Sequence, residues 1–491
     1  MGRVLPFPAP TGGLNTRDGV ALLPANEARQ LENWLPDGAN VRKRDGYTSQ
    51  STGAGVTVKT LATHKGGSGE KLIAVGGGEL WDASGSTASS LYDGSYTDNV
   101  FQTAAFNSYL FGVNGTETPW RYDGSTHSVT GFTGTSLTIA NLINVEAVRN
   151  RLWFCESGSA DVWYGGLGSI TGSLTKFQTS QLLDGGYMMA VGSWSRDAGD
   201  GMDDLTVFIA STGQVLIYSG DPASTFSLIG SYRMPRPIGR KCTVKIGGQL
   251  AVLTQGGLIP LDAAMNGLAF DPMQLSTFGK VAPSIKKDYD LYGSNSGWSI
   301  ESSAGLIYIN VPTVQDLASK QYIYNTRVGS WTTYTGLPVN CMAEYAGDLY
   351  FGGYTDGDVW KHSGTNDNGS DIVLTARQSF QGIGSVQSLQ ANAIRVDIAP
   401  EGDVTGKLGV DVDYISRPIS VPLVTLAEAS NLTPWGSAWG SSWNQKIASE
   451  SKWFSTQGFG RSLAPAMVIY ADAQSIEWYG TQIMAMDAGV L

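Results

Sequence analysis

Hydrophobic and polar positions along this chain fall into short runs that come in pairs, with strand periodicity rather than helical spacing. Seven first members open on a leucine: Leu72-Ile-Ala-Val, Leu110-Phe-Gly-Val, Leu152-Trp-Phe-Cys, Leu205-Thr-Val-Phe, Leu250-Ala-Val-Leu, Leu306-Ile-Tyr-Ile and Leu349-Tyr-Phe-Gly. They are spaced by 38, 42, 53, 45, 56 and 43 residues. Most are followed by a turn containing the glycine or asparagine that a positive φ demands, as at Gly76-Gly-Gly, Asn114-Gly, Thr212-Gly and Gln255-Gly-Gly. A second run then returns, usually carrying an aromatic ring: Leu80-Trp-Asp, Trp120-Arg-Tyr, Val162-Trp-Tyr, Val215-Leu-Ile-Tyr, Tyr322-Ile-Tyr and Val359-Trp-Lys. Only Leu258-Ile-Pro-Leu261 lacks the ring. Each pair predicts a β-hairpin.

An antiparallel unit of roughly 40–50 residues, repeated six or seven times, is what the blades of a β-propeller require. A β-sandwich or β-solenoid could share the composition, but solenoid rungs are shorter and a sandwich does not need seven matching hairpins. The repeat fades after His362, where Thr365-Asn-Asp-Asn-Gly-Ser-Asp371 is a polar turn cluster. Beyond it, Ile394–Ile398, Lys407–Ile415, Ala466–Tyr470 and Ile476–Met484 alternate as half-buried antiparallel strands of a second domain. Trp435, Trp439, Trp443 and Trp453 lie among glycines and serines, which favours a loop able to pack on its own sheet or on a partner. One segment reads as a helix: Ala25–Trp34, with Ala28, Leu31 and Leu35 as an apolar stripe and Pro36 ending the run.

Composition narrows the function classes. Among 491 residues, 63 are glycine and 14 tryptophan, and only 15% are charged against 42% hydrophobic. Turns and a sizeable core follow, and wholesale disorder is excluded. The net charge of −11 makes a poor grip for phosphate backbones, because each such contact needs a lysine or arginine. The three cysteines, Cys155, Cys242 and Cys341, are too far apart for a metal or disulfide motif and read as reduced core thiols. His64, His127 and His362 stand alone, which weakens zinc and His-triad chemistry. The N-terminus carries prolines where a signal peptide needs an apolar run, and no stretch approaches 18 apolar residues, so synthesis in the cytoplasm without membrane insertion is expected.

The search for chemistry yields little. The loop Arg196–Asp204 offers Asp197, Asp200 and Asp203 as oxygen ligands, but without the alternate-residue pattern of an EF-hand loop, and Asn366-Asp-Asn-Gly369 suits a turn better than a metal. Gly76–Gly78 precedes a strand and not a helix, so it is a hairpin turn and not a phosphate cradle. Arg42-Lys-Arg44 is too short for a nucleic-acid patch. No catalytic residue, cofactor or metal site is assigned, and a non-enzymatic protein is expected.

The most specific signal is N-terminal: Gly12-Gly-Leu-Asn15, Leu23-Pro-Ala-Asn-Glu-Ala28, Leu31-Glu-Asn-Trp-Leu-Pro36 and Val41-Arg-Lys-Arg-Asp-Gly-Tyr47. This succession resembles the opening of the tail tubular protein B, or nozzle, family of short-tailed bacteriophages. The resemblance implies an all-β virion protein in which residues 1–50 and 366–491 form a β-sandwich-like platform and residues 51–365 a β-propeller inserted between them. It further implies a ring homo-oligomer, a hexamer in the family, bound to the adaptor ring of the head-to-tail connector and in some cases to tail fibres. The genome would pass through its channel during ejection without specific binding, and an interior of acids and hydroxyls would let phosphates slide. The motif residues Gly13, Leu14, Asn15, Asn33, Trp34, Pro36, Arg44, Gly46 and Tyr47 are the candidates for scaffold or interface roles. Leu14 and Trp34 would be apolar anchors, Asn15 and Asn33 would bond turn backbones, and Gly46 would permit a bend before Tyr47. The alternative is a propeller-type tail component that binds or cleaves glycans of the host receptor.

Overall fold

A computed structural model describes residues 2–67, 69–197, 202–382, 388–400, 403–419, 421–427, 452–472 and 474–488. The chain divides into two compact units. One comprises residues 49–320 and 338–362; the other, residues 1–48, 321–337 and 363–491.

The first unit is a β-propeller. Seven inner strands follow one another around an axis: Val58–Gly66, Gln102–Phe106, Leu142–Val148, Met188–Asp197, Thr243–Ile246, Ser299–Ser303 and Cys341–Tyr345. Each contacts the inner strand, or the inner hairpin, of the next blade, and Cys341–Tyr345 returns to Val58–Gly66, so the ring closes on itself. The first four blades are four-stranded antiparallel sheets, ending on Ser89–Asp93, His127–Val129, Thr175–Phe177 and Phe226–Arg233. The fifth has three strands, and the sixth contributes the hairpin Ser299–Ser303 and Leu306–Val314 to this unit. The seventh is completed from the other side of the sequence: its outermost strand is Thr48–Ser51, which precedes the first blade. Gly53 and Ala54 donate backbone hydrogen bonds to Asp356 and Gly357 of the last blade at 3.2 and 3.0 Å. The ring is thus latched by pairing the two ends of the repeat, which ties cooperative stability to a few contacts far apart in sequence.

Large rings and aliphatic chains fill the spaces between blades. Phe111, Phe132, Phe154 and Trp163 are buried between the second and third blades, and Trp153, Phe208 and Tyr218 between the third and fourth. Cys155, Cys242 and Cys341 are buried free thiols, and burial pushes Cys242 and Cys341 up to about 12. The 56-residue interval after Leu250 holds helix Ala282–Tyr292, whose first turn carries Pro283 where a missing N–H costs nothing.

The second unit holds two facing sheets. In one, Ser330–Thr335, Glu27–Glu32, Ile372–Gln378, Ser462–Ala471, Val404–Val412 and Val424–Ala427 are neighbours in that order. In the other, the order is Trp34–Asp37, Asn40–Lys43, Ile476–Asp487, Leu389–Pro400 and Phe454–Gly460, with Gly2–Pro8 also paired to Ile476–Asp487. Gly458 and Gly460 have no side chain where Val410 and Val412 of the facing sheet arrive, and a Cβ at Gly460 would lie 2.2 Å from a Val412 methyl. Small residues at such a crossing let the two sheets approach.

Two expectations are corrected here. The segment Ala25–Trp34 is not helical: Glu27–Glu32 is a strand between Ser330–Thr335 and Ile372–Gln378, and Pro36 sits in the hairpin Trp34–Asp37/Asn40–Lys43. A strand neighbour on each side supplies the backbone hydrogen bonds that an isolated short helix could not hold in water. The stretch from residue 321 to 337, counted by sequence with the propeller, belongs to the second unit, because Thr332, Thr333 and Thr335 bond the backbone and side chains of Leu31, Asn33 and Trp34. Trp435, Trp439 and Trp443 lie outside the described residues. So do residues 198–201 of the acidic loop.

Candidate functional site

The motif residues are drawn into the second unit, around the point where the chain changes sheets. Asn33 lies between Glu27–Glu32 of one sheet and Trp34–Asp37 of the other, with φ +63°. Asparagine tolerates that left-handed conformation better than most side chains. It is 2% exposed, and its amide is fully used: Nδ2 donates to Thr335 Oγ1 (3.0 Å) and the Val373 carbonyl (2.8 Å), while Oδ1 accepts from Arg44 Nε (2.8 Å) and the Thr335 N–H (2.9 Å).

Arg44, 1% exposed, completes the node. Its Nη1 and Nη2 grip Asp367 Oδ1 and Oδ2 at 2.8 and 2.6 Å, and the same nitrogens donate to the carbonyls of Asp45 and Thr335, each at 2.9 Å. With Nε on Asn33, all five N–H groups of the guanidinium are satisfied, the condition for burying such a charge. Its plane lies 5.7 Å from the Tyr334 ring. Gly46 is required by packing, since a Cβ there would meet the Asn366 carbonyl at 1.8 Å. The N–H groups of Gly46 and Tyr47 donate to Gly364 (2.8 Å) and Asn366 (3.1 Å), and half-buried Tyr47 is raised from its usual range by desolvation and by Asp367. Beside it, burial and the Arg44 charge bring Lys43 down to about 8, with its Nζ on the carbonyls of Thr365 and Asp472.

The other candidates frame this node. Trp34, fully buried, packs on Trp478 with centroids 5.3 Å apart, and the Pro36 carbonyl accepts from Asn325 Nδ2 at 3.0 Å. Gly13, at φ +82°, lies where a Cβ would meet the Trp331 backbone at 2.6 Å, and Leu14 beside it is buried. Asn15 ties its loop together: Nδ2 donates to Asp18 Oδ2 (2.8 Å) and Glu27 Oε2 (2.6 Å), and Oδ1 accepts the N–H groups of Arg17 and Asp18 (both 3.1 Å). Apart from the buried Trp34 Nε1, which has no hydrogen-bond partner among the described residues, these polar contacts are satisfied within the unit, as structural joints are. Sequence reasoning missed Asp367 and Thr335, which lie 323 and 291 residues from Arg44; no local pattern marks either as its partner.

A second place of interest is open. On the propeller axis a cavity of about 570 Å³ is lined from all seven inner strands or the residues just before them, and by Tyr289 and Trp298 of the helical insertion. Half-buried Glu146 faces it, and desolvation, only partly offset by Lys245, pushes its carboxyl up to about 7. No group of three or more His, Cys, Asp or Glu is placed to hold a metal ion among the described residues.

No family model matches the chain, and no curated protein matches it. Among solved structures it is similar to YCF48 from Cyanidioschyzon merolae, at 12% identity and TM-score 0.38, over 65% of this chain and 98% of that one. It is similar to the extracellular domain of a putative hybrid two-component system from B. thetaiotaomicron, at 12% identity and TM-score 0.43, over 75% of this chain and 44% of that one. A β-propeller domain from Myceliophteria thermophila gives 12% identity and TM-score 0.42, over 64% and 99%. The blade count rests on the closed ring of inner strands and not on these remote likenesses.

Proposed function

We propose that the chain is a non-enzymatic structural subunit of the tail nozzle of a short-tailed bacteriophage, assembled as a ring below the adaptor and conducting the genome without gripping it. One observation carries the reading. The four sequence elements that resemble the nozzle family occupy one unit, in which residues from both chain ends pack together, and Asn33, Arg44, Gly46 and Tyr47 bond directly to residues 364–373. A segment with a scaffold role would use such residues in this way, as buried joints. The inserted propeller and the acidic net charge agree with it.

The test is the mass and shape of the purified chain, alone and mixed with the adaptor protein from the same genome, by mass photometry and negative-stain microscopy. The reading expects rings of about six copies of the 52.1 kDa chain, alone or on the adaptor. A monomer that ignores the adaptor ring overturns it.

A further inference from the structure

One sheet of the second unit carries opposite charge at its two ends. Ile372–Gln378, Ser462–Ala471 and Val404–Val412 are antiparallel neighbours, so Asp371 and Asp472 come together beyond Ile372 and Ala471, with Asp403 beside them before Val404. Arg377, Arg461 and Arg417 come toward the other end. The strands have seven, ten and nine residues, which at about 3.3 Å per residue holds the two ends roughly 20–30 Å apart.

At the arginine end, Arg29 and Arg377 share the buried carboxylate of Asp411. Asp411 Oδ1 accepts the Arg417 N–H at 2.9 Å, and Asp413 Oδ1 accepts the N–H groups of Arg461 and Ser462 at 2.8 and 2.9 Å. These bonds fix the loop after Val412 in one shape, with Asp413 and Tyr414 at φ +47° and +65°. The side chains of Arg417 and Arg461 are exposed and enter no ion pair among the described residues. Beside them Tyr414 and Ile415 are 49% and 56% exposed. Glu27 nearby is buried and bonded to Asn15, and Arg17 and Asp18 pair with each other, so the charge left to meet a partner is positive. At the other end Asp371, Asp403 and Asp472 are all exposed, Arg44 and Asp367 cancel each other, and the one remaining cation, Lys43, is buried. Exposed Val373 adds an apolar side chain there.

We propose that this sheet docks head to tail on a second copy of the chain, the Arg417–Arg461 end of one copy against the Asp371–Asp472 end of the next. The occupant is another copy because both halves of a complementary pair lie on one unit of one chain. Such a contact uses two different patches and leaves one of each open on any pair, so copies add until the assembly closes; a patch that pairs with itself stops at two. Tyrosine and arginine are the side chains that interfaces favour. A nucleic acid fits the arginine end less well: two free guanidinium groups are few for a phosphate backbone, and Tyr414 and Ile415 would find no apolar surface on it. The inference rests on the ring reading and adds to it the faces that meet.

The test uses the full chain in mass photometry and sedimentation velocity, alone and on the adaptor from the same genome. Arg417→Glu with Arg461→Glu makes both ends acidic, and Asp371→Arg with Asp472→Asn makes both basic. Each variant by itself is expected to assemble only at concentrations at least about tenfold above those the wild type needs. An equimolar mixture of the two is expected to regain wild-type assembly, because acidic and basic copies can then alternate. Raising salt from about 50 to 500 mM is expected to weaken wild-type assembly, since the charges at the contact are exposed. The four substituted side chains are exposed, circular dichroism checks that each variant is folded, and the single changes Arg417→Glu and Asp371→Arg replace any pair that is not. Lys287→Glu, at an exposed position of the propeller, shifts the net charge as much as Arg417→Glu and is expected to assemble as the wild type does. Wild-type rings that the paired variants also form, or a mixture no better assembled than its components, overturn the docking and leave the ring reading standing. A wild type that is monomeric with and without adaptor overturns the ring reading and the docking with it. Assembly that appears only when duplex DNA is added assigns the arginines to phosphate and overturns the docking.

Discussion

At the scale of single residues, the Arg44–Asp367 pair is the most consequential contact in the two-sheet unit. Both groups are buried, both guanidinium forks are engaged, and Asn33 and Thr335 hold the remaining edge. Removing one partner leaves the other charge buried and unmatched, so Asp367→Asn and Arg44→Ala are each expected to cost about 3–5 kcal/mol. Arg44→Met combined with Asp367→Leu is expected to recover much of that loss, because an apolar pair of similar size needs no counter-charge. Urea unfolding curves of the three variants decide it; equal losses in the single and double variants would refute the ion-pair account. His127 gives a pH signature in the propeller. It stacks on Tyr92 with centroids 3.8 Å apart, and desolvation lowers it to about 4 from 6.5. Between those values the unfolded chain binds the proton and the folded chain does not, so the contribution is present in full above pH 6.5 and is lost as the pH falls toward 4. The ring keeps some contact with solvent, so the loss is about 1–2 kcal/mol, less than the full shift would give. Melting at pH 7 and pH 4.5 should show a gap that His127→Phe narrows. Of these residues Asn33 and Arg44 were legible from the motif they sit in. Asp367 was not, being one acid among 43.

At the scale of elements, the sequence disclosed the middle of each blade and hid its edges. The seven leucine runs are the second strands and the returning aromatic runs the third strands, where both faces are buried against neighbouring blades and the residues are accordingly apolar. Inner strands face the axis and interleave Lys59, Glu146, Lys245, Glu301 and Glu344 with apolar positions, which breaks the pattern. Outer strands are mostly exposed, as in Ser89–Asp93 and Phe226–Arg233, and their apolar residues, such as Leu91, Leu228 and Ile229, are scattered and open on no leucine run. The misread helix at Ala25–Trp34 has a related root: Ala28 and Leu31 lie in the buried strand Glu27–Glu32 and Leu35 in the next strand, Trp34–Asp37, so an apparent helical stripe runs across two strands of different sheets. The latch of the ring was invisible, since Thr48–Ser51 is polar and its partners come last in the propeller. Its weak point is Gly357, at φ +64°, where a Cβ would lie 2.4 Å from the Ala54 nitrogen. Gly357→Val is expected to force the first and last blades apart and cost about 3 kcal/mol or more. Hydrogen exchange should then rise in residues 53–66 and 341–361 well before it rises in the third and fourth blades. Uniform exchange across all blades would show that the latch is not the point of opening.

At the scale of the whole molecule, charge is the property that composition settles and topology cannot. The formal charge of −11 is spread over 32 basic and 43 acidic residues. Several buried or half-buried cations are paired locally: Arg44 with Asp367, Lys320 with Asp288, and Arg29 and Arg377 together on Asp411. Cations committed to internal pairs cannot release counterions from a phosphate backbone, so fewer are left to meet DNA while the net charge stays at −11. For the proposed conduit this is an advantage, because each phosphate contact made in transit would have to be broken again, and steering by a positive wall would slow passage. The full chain is therefore expected to leave a 30-base-pair duplex unshifted in a gel at about 50 mM salt, where phosphate contacts are strongest, with a Kd weaker than about 10⁻⁴ M. Fluorescence anisotropy across about 20–200 mM salt should show no slope. Binding that weakens steeply as salt is added would mean that several lysines or arginines remain free to hold the backbone, and the proposed passive channel would then be the wrong description.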